Sequence, residues 1–114
     1  MPTNAALEII FTNQLPKIKV QGKFGEKDIS PNEIVFLKTD RNYLDIHTED
    51  HVYHHRSPLK QFIQKLPNFF VQVNRFTVVN SKFVEQRTAS QLKIREQIIS
   101  ISRNYRKALD SKFP

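Results

Sequence analysis

Cysteine is absent from the 114-residue chain, and glycine occurs only twice, at Gly22 and Gly25. Without cysteine there is neither a disulfide framework nor a thiolate metal site, which suits a reducing, intracellular location. Two glycines cannot build a Gly-rich phosphate loop. No apolar run approaches the roughly 20 residues that span a bilayer, and the N-terminus lacks the basic-then-apolar layout of a secretory signal. Low-complexity tracts and internal repeats are missing too. These absences lead to the expectation of a cytoplasmic protein that does not enter a membrane and needs no cofactor.

Negative charge is scarce in the second half. Residues 56–114 hold 12 Lys/Arg and 3 Asp/Glu, a balance of +9. Residues 1–55 hold 6 Lys/Arg and 8 Asp/Glu, a balance of −2, and the whole chain carries +7. A segregated positive field points to an anionic partner, unless it is only a solvated surface. Phospholipid is a poor fit, because no amphipathic basic helix is evident. The length fits one domain, large enough to bury a core without staples. At 39% hydrophobic and 25% charged, the composition is that of a globular chain.

What is present reads mainly as strand. Leu7–Phe11 is a short apolar run, and Lys17–Lys23 alternates, with Ile18 and Val20 on one face. Gly22 and Gly25 mark a turn. Residues 34–56 read as a three-stranded meander: Ile34–Lys38 buried on both faces, a turn at Thr39–Asn42, Tyr43–Thr48 alternating, a turn at Glu49–Asp50, then Val52–Arg56. Ser57 as N-cap and Pro58 at the first helical position predict one short helix over 57–66. Leu59, Phe62, Ile63 and Leu66 form its apolar face, and Pro67 stops it. Further strand segments follow at Phe69–Val73, Val78–Asn80, Lys82–Arg87, Gln91–Arg95 and Ile98–Ile101, with a helical turn or two in 104–113. The total is about seven or eight strands and one clear helix.

Catalysis has little support. No serine sits in a glycine elbow, and cysteine is missing, so nucleophilic chemistry lacks its parts. The histidines crowd into one hairpin at His47, His51, His54 and His55. His51 and His55 have a helical metal-ligand spacing but lie on a strand and its turn, where His54 and His55 point to opposite faces. They read as surface histidines, with no metal and no enzyme expected. Two places differ. In FFVQVNRFTVVN (69–80) the polar pair Asn74-Arg75 interrupts an apolar sequence and precedes Asn80-Ser81-Lys82; in Ile99–Arg106 a strand ends in Ser102-Arg103-Asn104. Arginine can bond two acceptors on guanine and asparagine two on adenine, while Ser, Lys and further Arg suit phosphate oxygens. The same residues could instead cap turns or simply be solvated.

These segments resemble the LytTR DNA-binding domain, usually the output half of bacterial two-component response regulators. The carrying stretches are IVFLKTDRNYLDI (34–46), RSPLKQFIQKLPNFFVQVNRFTVVN (56–80) with KFVE behind it, and ISISRNYR (99–106). The resemblance covers residues 17–109, leaving 1–16 as leader or first strand and 110–114 as tail. It implies a mainly β, elongated fold of small antiparallel sheets with one short helix. It also implies that loops, not a recognition helix, enter successive major grooves and bend the DNA. By the motif, Arg75 and Arg103 fall at base-reading positions, with Arg41 and Asn42 near a third contact region. Asn74, Asn80, Ser81, Lys82, Ser102, Asn104 and Arg106 fall beside them, for phosphate contact or loop support. Paired DNA repeats with two protomers per site are implied, as is a receiver domain or partner regulator outside this chain, which is either an excised output domain or a stand-alone regulator.

The chain departs from the family pattern at Gln72, Asn74 and Phe76, where the family often has Arg, His and Ser. The hairpin near Glu96-Gln97 is shorter than usual and lacks its glycine. Two other readings compete: a protein-interaction or ligand-sensing β module with a basic face for an acidic partner, and an RNA binder, disfavoured because the nine phenylalanines sit mostly at core-like positions.

Overall fold

The computed structural model describes residues 15–112, so the run Leu7–Phe11 lies outside the described part. A β1–β2 hairpin (Ile18–Gly22, Gly25–Ile29) comes first, followed by β3 (Ile34–Asp40), β4 (Tyr43–Thr48) and β5 (Val52–Arg56). Helix α1 (Leu59–Ile63) leads to β6 (Phe70–Asn74) and β7 (Thr77–Asn80). Strands β8 (Val84–Arg87), β9 (Gln91–Ile94) and β10 (Gln97–Ser100) precede α2 (Arg106–Lys112). The strands form three antiparallel sheets: β1-β2, β10-β9-β8, and a five-stranded sheet ordered β5-β4-β3-β7-β6.

Strand β3 is central because its sequence can be buried on both sides. Ile34, Val35, Phe36 and Leu37 are all buried. A β-bulge between Ile34 and Phe36 breaks the period of two. Ile34 and Leu37 therefore enter one core, and Val35 and Phe36 the other. The first core is closed by the β1–β2 hairpin through Ile18, Val20 and Ile29 and by α1 through Leu59 and Phe62. The second is closed by the three-stranded sheet through Leu92, Ile94 and Ile99 and by α2 through Leu109. Each fully buried aliphatic or aromatic side chain contributes about 1.5–3 kcal/mol. The result is three layers in a body of 45 × 40 × 25 Å.

The mainly β reading and the meander at 34–56 hold, and the details differ in physically instructive ways. Ten strands occupy the described residues, more than the seven or eight expected. The least expected is β2, GEKDI, in which only Ile29 is buried; it pairs residue for residue with β1 without an apolar alternation to announce it. The helix expected at 57–66 spans only Leu59–Ile63. Its N-cap is Pro58, and the Ser57 hydroxyl donates to the Pro58 carbonyl instead of capping. Five residues are too few for a self-supporting helix, so Leu59 and Phe62, three apart in the core, hold it. Residues Ser81–Phe83 form a 3-10 turn where a strand was expected from Lys82. The C-terminal turn is a seven-residue helix, α2. No helix among the described residues is long and apolar enough to cross a membrane.

Candidate nucleic-acid interface

Antiparallel register brings separate stretches of sequence to one end of the five-stranded sheet. Asp40 pairs with Tyr43 across the Arg41-Asn42 turn, and Tyr43 pairs with Arg56. Lys38 pairs with Thr77, which pairs with Asn74 across the Arg75-Phe76 turn. Four strand spacings put the outermost of these about 19 Å apart. The turns are tied together. Thr39 N–H donates to the Phe76 carbonyl at 2.8 Å. Ser102 N–H donates to the Val73 carbonyl at 2.9 Å, and the Asn74 amide donates to the Ser100 carbonyl at 2.8 Å. The Phe76 N–H donates back to Asn74 Oδ1 at 2.9 Å. The segment carrying Arg103 is thereby fastened to the turn carrying Arg75.

Arg41, Asn42, Arg75, Ser102, Arg103 and Asn104 are exposed on this rim. Arg41 stands at φ 59°, a left-handed conformation that costs a non-glycine residue about 1–2 kcal/mol. Ser102 precedes the 3-10 turn Arg103–Tyr105 but makes no side-chain capping bond. Arg106 is half-buried, and its Nε is buried with no hydrogen-bond partner. Two further cations join the rim without having been picked out by the motif. Arg56 lines a depression with Thr39, Arg41 and Asn42, and Lys60 lines another with Gln72 and Arg75. Strand parity contained the signal for Arg56: two antiparallel reversals after β3 return the chain to the same end.

Among the described residues, Arg41, Arg56, Lys60, Arg75 and Arg103 form no ion pair within 4 Å, whereas Arg87 pairs with Asp110 and Arg95 with Glu49. Cations left unpaired at one sheet end produce a local positive field. Asn80, Ser81 and Lys82 are not part of this rim; they lie at the other end of β7, about 10 Å or more away at strand rise. Asn80 is fully buried, donating to the Ile34 carbonyl and accepting from Lys82 N–H. The Lys82 ammonium sits 4.0 Å from the Phe69 ring centroid and donates to Asn32 Oδ1 at 3.3 Å.

The histidines have separate occupations. His47 stacks on Phe36, His54 stacks on Tyr43, and His55 accepts from Gln21 N–H. Burial, aided by nearby Lys38 and opposed by Asp45, holds the His47 pKa below its ordinary value. Burial and then Lys65 do the same for His55. Asp40, Asp45 and His54 come within 4.8 Å of one another; the 2.6 Å bond between His54 Nδ1 and Asp45 accounts for much of that closeness.

The sequence matches the LytTr DNA-binding domain family over residues 27–113. No curated protein matches it. Among solved structures, the fold is similar to the LytTr DNA-binding domain of a protein described as a methyl-accepting/DNA response regulator from Bacillus cereus. The TM-score is 0.73 at 16% identity, covering 85% of this chain and 95% of that one. With most of its length matched and its three-sheet architecture shared, the chain belongs to the LytTR DNA-binding domain family.

Proposed function

We propose that this chain is the sequence-specific duplex-DNA-binding domain of a transcriptional regulator of the response-regulator type, working in the cytoplasm. The observation that carries this reading is the rim: three turns joined by hydrogen bonds and edged by unpaired arginines. The turns Arg41-Asn42 and Arg75-Phe76 and the Ser102–Asn104 segment enter successive major grooves. Arg75 and Arg103 address guanine edges through paired donors, with Arg41 and Asn42 reading at the third turn. Arg56, Lys60, Ser102, Asn104 and Arg106 supply phosphate contacts, which set register without carrying sequence information. Asn74 and Asn80 support their loops. Ser81 and Lys82 stand at the opposite end of β7 from the rim, where the Lys82 ammonium is engaged by the Phe69 ring and Asn32. The binding unit spans residues 17–109, acts as two protomers on paired repeats, and takes its signal from a receiver domain or partner regulator.

Selection from a random duplex library tests the reading. A single enriched motif, bound by folded protein with strong salt dependence, is the expected result. Salt-sensitive but sequence-blind retention of DNA, together with tighter binding to an acidic protein, would favour the interaction-module reading instead.

A further inference from the structure

The turn between β6 and β7 carries an aromatic ring that neither core takes up. Phe76 is 54% exposed, while Phe36, Phe62 and Phe70 are buried in the two cores. A solitary exposed apolar residue ordinarily needs no explanation. This one differs in how it is held and in what surrounds it. Its N–H is bonded to Asn74 Oδ1 and its carbonyl accepts from Thr39 N–H, at 2.9 and 2.8 Å. The backbone is thus pinned on both sides, and the ring is presented at a defined place on the rim. The Arg75 guanidinium lies 5.4 Å from its centroid. A guanidinium carries five N–H donors and uses none of them on a ring it lies over.

A phosphate has nothing to offer a phenyl ring. The major-groove edge of a base pair has one apolar group, the C5-methyl of thymine, and cytosine methylated at C5 carries the same group. We propose that Phe76 is a specificity-determining residue that packs against the C5-methyl group of a pyrimidine neighbouring the guanine bonded by Arg75. This rests on the DNA-binding reading above and adds to it a chemical element of the recognised sequence, a 5-methylpyrimidine beside guanine.

The test uses the full chain and the duplex enriched in the random selection. Each thymine is replaced singly by deoxyuridine, which removes one methyl group and no hydrogen bond, and each cytosine beside a guanine is replaced by 5-methylcytosine. At one position next to a guanine, wild-type affinity should change about fourfold with the methyl group, on the order of one buried carbon. A loss with deoxyuridine identifies thymine as the source, and a gain with 5-methylcytosine identifies the methylated base. Phe76→Ser should erase the methyl dependence at that position alone and keep the preference for guanine, and Phe76→Leu should retain part of it. Affinity indifferent to every methyl group overturns the proposal while leaving DNA binding intact. So does methyl dependence that persists in Phe76→Ser, or a Phe76→Ser loss of affinity without methyl dependence in the wild type, which is the behaviour of a ring wedged between base pairs. If no motif is enriched at all, the underlying reading falls first and the proposal with it.

Discussion

At the scale of single residues, side chains near the motif blocks divide by burial into those that face solvent and those that hold loops. Arg75→Ala or Arg103→Ala should weaken binding to an enriched site by about 1–3 kcal/mol and flatten preference at one base position, measurable by titration against single-base variants. Asn80→Ala should act differently. It leaves the Ile34 carbonyl and Lys82 N–H without their partner inside the protein, at a cost of about 1–3 kcal/mol in stability. Chemical denaturation should show that loss, while affinity per folded molecule stays close to wild type. The histidines set a pH dependence. His47 and His55 have folded pKa values below the ordinary 6.5, so the unfolded chain binds more protons in the interval between. Stability is fully present above about pH 6.5 and declines as pH falls toward the depressed folded values. The thermal midpoint should therefore drop between pH 7 and pH 5, and the drop should be smaller in a His47→Gln, His55→Gln double variant.

At the scale of elements, two tight turns place arginine where glycine or asparagine is the easier choice. In the β3–β4 turn Arg41 adopts φ 59°, and in the β9–β10 turn Arg95 adopts φ 53°. The second explains how that hairpin manages without glycine: Arg95 takes the left-handed conformation and is held by Glu49 at 2.6 Å and by the Phe83 ring. The first has no such anchor among the described residues and stands on the rim. Arg41→Asn relieves up to about 1 kcal/mol of backbone strain and removes a cation. It should raise the thermal midpoint slightly and lower DNA affinity, and a loss of both would count against the role given to this turn. Helix α2 packs against β6, the strand that leads into the Arg75 turn. Leu109 is fully buried in the second core, and Leu109→Ala should cost about 2–5 kcal/mol, loosening the Arg103 segment that leads into the helix.

On the scale of the whole molecule, the net charge of +7 matters less than which cations remain unpaired and where. The rim offers Arg41, Arg56, Lys60, Arg75 and Arg103. If Arg56, Lys60 and Arg106, the cations assigned to phosphates, each neutralised one, the log–log salt slope would approach about −2.7, at about −0.9 per contact. Arg56→Ala should lower the magnitude of that slope by about one and weaken all sequences alike. Lys82→Ala, at the far end of β7, should leave the slope unchanged; a shift equal to that of Arg56→Ala would place the duplex elsewhere on the protein.

Much of this architecture was legible in the chain. Continuous apolar residues at Ile34–Leu37 require a strand buried on both faces. Alternation in Tyr43–Thr48 gives a half-buried neighbour, and absent cysteine and scarce glycine remove whole classes of chemistry. Arg75 and Arg103 stood out as long donors at strand ends, a local property. Strand β2 did not stand out, because its stability comes from pairing with β1 and not from an apolar face. The shortness of α1 was hidden too, since only packing decides how far a marginal helix extends. Strand parity within the meander puts residues 41 and 56 at one end, but no local signal shows that residues 75 and 103 share that rim, or that Lys82, close behind Asn80 in sequence, lies away from it. Local sequence determines which face of a strand is apolar. Which strand ends meet is decided by long-range register, and here by bonds such as Thr39 to Phe76 and Asn74 to Ser100, whose partners lie 26 or more residues apart and exist only once the sheets have closed.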